Sequence, residues 1–132
     1  TECIPVTSII HKRCSCIVNE IARVVSAVDA ISKRDLVSLG SLLYQAHDEL
    51  SHLYEVSCKE LDYLVGTVQQ MEGVMGARMM GGGFGGCTLN LIHKDFVSSI
   101  ITTVKASYEA DCKLPFDSFI VSLGDGAKLI TN

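Results

Sequence analysis

Along residues 14–31, Ile17, Ile21, Val24, Val25, Val28 and Ile31 recur every few positions, with Asn19, Glu20, Arg23, Ser26 and Asp29 between them. That period gathers the apolar side chains on one face and the polar ones on the other, and predicts an amphipathic helix. Asp35 then opens a second helix carrying Leu36, Leu39, Leu42 and Leu43, and the chain turns around residues 47–55. Ser57-Cys58-Lys59-Glu60 reads as a capping box, with Val56 and Leu61 placed as its hydrophobic staple. It predicts a helix over 58–70 that buries Leu61, Leu64, Val65 and Val68 and stops at Gly73. Gly66 is its weak point, costing about 1 kcal/mol relative to Ala.

After Gly73 the apolar period shortens to that of a strand. Residues 74–80 and 87–92 predict two strands, the second alternating Cys87, Leu89 and Leu91 with Thr88, Asn90 and Ile92. Residues 81–86 would join them as an antiparallel pair. Asp95 is read as the cap of a further helix carrying Phe96, Val97, Ile100, Ile101, Val104 and Tyr108, and residues 118–123 alternate again as a strand. An N-terminal helical part followed by β-β-α-β predicts an α+β fold, a two-layer sandwich with helices packed on a small antiparallel sheet.

The connection 81–86 is the least ordinary stretch of the chain, with Gly81, Gly82, Gly83, Gly85 and Gly86 around Phe84. Glycine loses more conformational freedom on folding than any other residue, so such a cluster implies left-handed backbone or a close backbone approach. Its spacing satisfies the dinucleotide-binding pattern, but that motif opens a helix, whereas a strand follows here. It also has the spacing of a phosphate-binding P-loop, but Cys87 stands where the lysine is required. The glycine-rich hairpin of protein kinases does lie between strands, yet the other kinase signatures are absent. Gly81, Gly82, Gly83, Phe84, Gly85 and Gly86 are the candidate active-site loop, with a ligand-free hairpin crossing another backbone as the plain alternative.

Composition narrows the classes. The chain has 132 residues, 48% of them hydrophobic, with mean hydropathy +0.32. No apolar run is long enough for a membrane span, so the surplus predicts a face made for another domain or subunit. A formal charge of −4 without a basic stripe argues against nucleic acid. The six cysteines form no Cys-x-x-Cys pair, which fits reduced thiols in the cytoplasm. His11, Cys14 and Cys16 do not make a metal site, because residues two apart on a helix diverge. Residues 1–7 carry neither an initiator Met nor a signal-peptide pattern, and read as an arbitrary cut in a longer chain.

Single residues invite sharper readings. His47 and His52 lie near a predicted helix end without a third ligand in register, and are read as ordinary helix-end or surface histidines. Arg78, beside the loop, is read either as touching phosphate or as pairing with a carboxylate such as Asp62. Ser57 and Glu60 are assigned to capping rather than to a nucleophilic site.

From these residues, nearly the whole chain, about 14–128, resembles the C-terminal part of the galactokinases, a branch of the GHMP kinases. Residues 55–62, Glu-Val-Ser-Cys-Lys-Glu-Leu-Asp, are similar to that family's Glu-Val-Ser-Cys-Pro-Glu-Leu-Asp. Residues 76–88, with the glycine loop inside them, resemble its third conserved motif, and Asp125-Gly126-Ala127-Lys128 resembles its usual ending. Met80 departs from a Thr common in the family. Ala46-His47-Asp48-Glu49-Leu50 keeps only part of a Ser-His-x-Ser-Leu pattern.

The resemblance implies an ATP-dependent sugar kinase that phosphorylates galactose at its anomeric hydroxyl with Mg2+. It implies that residues 1–132 are a single C-terminal domain whose partner is the protein's own N-terminal domain. The catalytic groups and most contacts to ATP and Mg2+ would lie in that other domain, so this chain offers no catalytic residue and no metal ligand, and is expected to be inactive alone. An N-acetylgalactosamine kinase of the same family, or a non-catalytic sugar sensor, are the alternatives.

Overall fold

The computed structural model describes residues 8–122, 124, 126 and 129. Ser8 caps α1 (Ile9–Lys33) by accepting the backbone N–H of His11, and Arg34 ends it in the left-handed conformation. Asp35 caps α2 (Leu36–Glu49), as its position predicts, by accepting the N–H of Ser38. The chain runs on into a π-helical turn, Leu50–Tyr54, closed by Glu55 at φ +64°. Then come α3 (Lys59–Gln69), the antiparallel strands β1 (Val74–Met80) and β2 (Cys87–Ile92), a 3-10 turn (Lys94–Phe96) and α4 (Val97–Cys112).

Both predicted strands and the loop between them are observed, with Met80 paired to Cys87 at the loop. The core lies where α3 and α4 meet the hairpin. Val65, Val68, Ala77, Ile100 and Val104 form its buried cluster, flanked by Tyr44, Leu64, Val74, Ile92 and Phe96. Leu61 and Tyr108 are buried as well. Successive residues of β1 turn to different neighbours, which is what the strand period requires. Ala77 enters the core, Gly76 meets Gly40 of α2, and Arg78 reaches Glu20 of α1. The result is the expected α+β arrangement of helices on a small antiparallel sheet.

Three details differ from the sequence reading. Among the described residues the sheet has two strands only. Residues 118–122 form no ladder, and Phe119, Ile120 and Val121 are exposed, because alternation alone supplies no strand to pair with. Leu123 of the predicted strand and the matching residues Asp125, Ala127 and Lys128 lie outside the described residues. The cap of α3 is Cys58, not Ser57, and no side chain caps that helix by a hydrogen bond. The Ser57 hydroxyl donates instead to Asp62 at 2.5 Å. Asp95 is inside the 3-10 turn, whose entry His93 caps by accepting the Asp95 N–H.

α1 is amphipathic, as its period predicts. Its apolar stripe faces outward, with Ile21, Val24 and Val28 between 57% and 64% exposed. Ile10, Ile17, Val18, Val25 and Ile31 are exposed beside them, and the surface continues to Leu36 and Val37 at the start of α2. Of its polar face, Glu20 and Arg23 turn inward. Arg23 pairs with Glu20 and, at 2.8 Å, with Glu49 of α2, while Arg78 of β1 reaches Glu20 at 2.7 Å. Asn19 also donates to Glu49. The Arg23 side chain is only 9% exposed, so this ion-pair network holds α1 in place. No helix among the described residues is long and apolar enough to cross a membrane.

Candidate functional site

The glycine loop owes its path to left-handed backbone. Gly81, Gly83, Gly85 and Gly86 all have φ between +85° and +137°, and Phe84 joins them at +59°. An L-residue with a Cβ pays for such angles in steric strain, so glycine at these positions is required by the turn itself. Gly82 alone among the loop glycines has no positive φ. Phe84 accepts the strain while 77% exposed, so burial of its ring within this chain does not compensate for it.

One point fixes the loop to the rest of the fold. The Phe84 N–H donates to the carbonyl oxygen of Val56 at 2.7 Å. A Cβ built on Gly83 would stand 2.1 Å from that same oxygen and 2.8 Å from Val56 Cβ. This is the close backbone approach that the glycine cluster implies. At Gly81, Gly82 and Gly85 an added Cβ would meet nothing within 4 Å among the described residues. The loop is thus seated on one side and open on the other. Neither of two shallow clefts, one between α1 and α2 around Asp29, Lys33 and Asp35, the other beside Tyr44 and His47, includes a loop residue.

Val56 sits in the bend between the π-helical turn and α3, and the polar residues around it are tied together. Asp62 accepts the Ser57 hydroxyl on Oδ1 and the Ser51 hydroxyl on Oδ2, the latter at 3.2 Å. His47 Nε2 lies 3.2 Å from Asp62 Oδ1, and its Nδ1 accepts the backbone N–H of Met79 at 3.2 Å. With Nδ1 an acceptor, the ring carries its proton on Nε2 and donates it to Asp62. Burial pushes the His47 pKa below its ordinary value, against the upward pull of Asp62 and Asp48. His47 stands in the last turn of α2, the helix end where it is read, but it is 7% exposed rather than at the surface and caps the edge of β1. His52 remains at the surface, against Asp48.

Arg78 pairs with a carboxylate, but with Glu20 rather than Asp62. Met80 is half exposed at the end of β1. Among the described residues no group of three or more His, Cys, Asp and Glu side chains is placed to hold a metal ion. Sequence reasoning missed the meeting of His47, Ser51, Ser57 and Asp62. The available signal is Asp62 itself, a charged residue one turn inside α3 on the stretch 55–62.

Residues 27–110 match the family described as GHMP kinases C terminal. The chain is 40% identical over 119 residues to a galactokinase of Clostridium beijerinckii and 41% identical over 113 residues to one of Staphylococcus carnosus. These alignments cover 90% and 86% of this chain but 31% and 29% of the relatives, so the chain spans about a third of their length. Among solved structures it is similar to Lactococcus lactis galactokinase complexed with galactose, with a TM-score of 0.79 and 39% identity. That match covers 82% of this chain and 28% of the other.

Proposed function

This chain belongs to the GHMP kinases, matching their C-terminal domain, and we propose that residues 1–132 serve as that single domain in a galactokinase. The whole protein would transfer the γ-phosphoryl group of ATP to the anomeric hydroxyl of galactose, with Mg2+ assisting. The observation that supports this best is the likeness to galactokinases sustained over 90% of the chain.

Phosphoryl transfer is catalysed by positioning and by charge stabilisation, and needs a phosphate cradle, a metal site and a base. The described residues do not by themselves fit Mg2+, since no cluster of suitable donors is present among them. ATP and Mg2+ are assigned mainly to an N-terminal domain. Mg2+ would there neutralise charge developing on the transferred group.

What this chain contributes is shape. The open side of Gly81, Gly82 and Gly85 can accept a neighbouring backbone or a phosphate-bearing ligand at close range, because these glycines have no side chain to stand between. The outward face of α1 is the surface assigned to the protein's own N-terminal domain. Free thiols at Cys14, Cys16, Cys58, Cys87 and Cys112 are consistent with work in the cytoplasm.

The test is an assay of the purified longer protein with ATP and Mg2+ against galactose and N-acetylgalactosamine, reading ADP. Galactose-dependent ADP formation is the expected result. Activity on N-acetylgalactosamine alone would reassign the sugar, and sugar binding without turnover would make the protein a sensor. The 132-residue chain by itself is expected to form no ADP.

A further inference from the structure

Asp62 collects contacts from three segments that surround the seat of the glycine loop. His47 comes from α2, Ser51 from the π-helical turn and Ser57 from the entry to α3. The bend carrying Val56 lies between Ser51 and Ser57, so the carboxylate pins the chain on both sides of the residue whose carbonyl receives Phe84 N–H. The Val56 N–H itself is held by the Leu50 carbonyl oxygen at 3.0 Å. Val56 therefore has little freedom to shift unless Asp62 releases one of its partners.

We propose that Asp62, backed by His47, is a positioning residue that sets the place of the glycine loop through Val56. The two oxygens divide the work. Oδ2 holds Ser51, and Oδ1 takes Ser57 together with the imidazole. His47 in turn is fixed by the Met79 amide on β1, the strand that leads into the loop. The path closes on itself: β1 to His47, to Asp62, to Ser57 and Val56, and back to Phe84 beyond the end of β1.

A Ser, a His and an Asp in contact also invite a nucleophilic reading, which the geometry opposes. The hydroxyl of Ser57 donates to the carboxylate rather than to the imidazole. The only unprotonated ring nitrogen of His47 is occupied by Met79 N–H, so no base is free to take the serine proton.

Positioning makes two demands that mere stability does not. Asp62→Ala should free the Phe84 amide selectively, raising its hydrogen exchange by about tenfold or more while amides paired between β1 and β2 keep their rates. Asp62→Asn retains one acceptor oxygen and should fall between. This first arm is independent of the galactokinase reading. In the longer protein, on which the second arm rests, Asp62→Ala should lower kcat by about tenfold with KM for sugar and ATP within about twofold, and Asp62→Asn should restore part of it.

Unchanged exchange at Phe84, or a rise shared equally by the strand amides, would overturn the proposal. If Asp62→Ala fails to fold, Asp62→Asn decides by the same comparison. If the wild-type protein phosphorylates no sugar, the galactokinase reading fails while the exchange arm still judges the loop.

Discussion

Gly40 of α2 and Gly76 of β1 meet backbone to backbone. A Cβ built on Gly76 would stand 2.4 Å from the Cα of Gly40, and one built on Gly40 would stand 1.9 Å from the carbonyl oxygen of Met75. Neither glycine has a positive φ, so the requirement is space rather than backbone angle. The contact sets how closely α2 can lie on β1, and with it where His47 reaches the strand edge. Gly40→Ala or Gly76→Ala should each destabilise the fold by about 1–3 kcal/mol, the usual cost of overpacking, read from urea unfolding. Gly66→Ala is the opposite case, an exposed position within α3 where the added methyl meets nothing within 4 Å. It should stabilise by about 1 kcal/mol through helix propensity.

His47 predicts a pH dependence. Burial lowers its folded pKa below the ordinary value of 6.5, so as pH falls the unfolded chain takes up a proton first. The stabilisation is complete above the unfolded pKa and is lost as pH falls below it toward the depressed folded value. Protonation would also break the bond from the Met79 amide, because Nδ1 could no longer accept. Unfolding free energy should therefore decline as pH falls below about 6.5, the ordinary histidine value, and His47→Gln should flatten that decline. An unchanged slope in the variant would assign the decline to other groups.

The loop separates two kinds of glycine. Gly83 combines φ +85° with the 2.1 Å approach to Val56, so Gly83→Ala must lift the loop from its seat. Gly82 has neither restriction, and Gly82→Ala should change stability by no more than about 0.5 kcal/mol. Gly83→Ala should therefore lose sugar phosphorylation in the longer protein, checked by ADP formation. Lost turnover in Gly82→Ala at unchanged stability would mark its open side as a contact surface. Phe84→Gly removes left-handed strain of about 1 kcal/mol and little burial, so it should fold at least as well as the parent.

Local signals were legible where one side chain or one period decides the outcome. Asp35 as a cap, the two strands and the six-residue loop 81–86 all stand where the sequence places them. Leu61, Val65, Val68, Ile100, Val104 and Tyr108 are buried as their spacing predicts. What sequence could not supply was the choice between two chemically acceptable partners. Ser57 fits a capping box but donates to Asp62, Arg78 had both Asp62 and Glu20 as possible acids, and residues 118–122 had the alternation of a strand without a neighbour. The amphipathic period of α1 was read correctly, but period identifies a face and not its direction. Complementary charges on the polar side, Glu20 and Arg23 against Glu49 and Arg78, decided the direction.

The outward apolar face gives α1 opposite mutational responses on its two sides. Ile21→Glu and Val28→Glu replace exposed side chains, so each should alter the stability of this chain by no more than about 0.5 kcal/mol. Glu20→Gln acts on the inward face, where it leaves Arg78 and Arg23 short of a counter-charge, and should cost about 1–3 kcal/mol. In the longer protein the order should reverse in part. There the apolar face is assigned to the N-terminal domain, and a glutamate at position 21 or 28 would be placed against apolar surface without a partner, a substantial cost. Thermal unfolding of the longer protein and of the 132-residue chain, each with Ile21→Glu, makes the comparison. Loss of melting temperature in the longer protein alone is the expected outcome, and equal insensitivity in both would remove α1 from the domain interface.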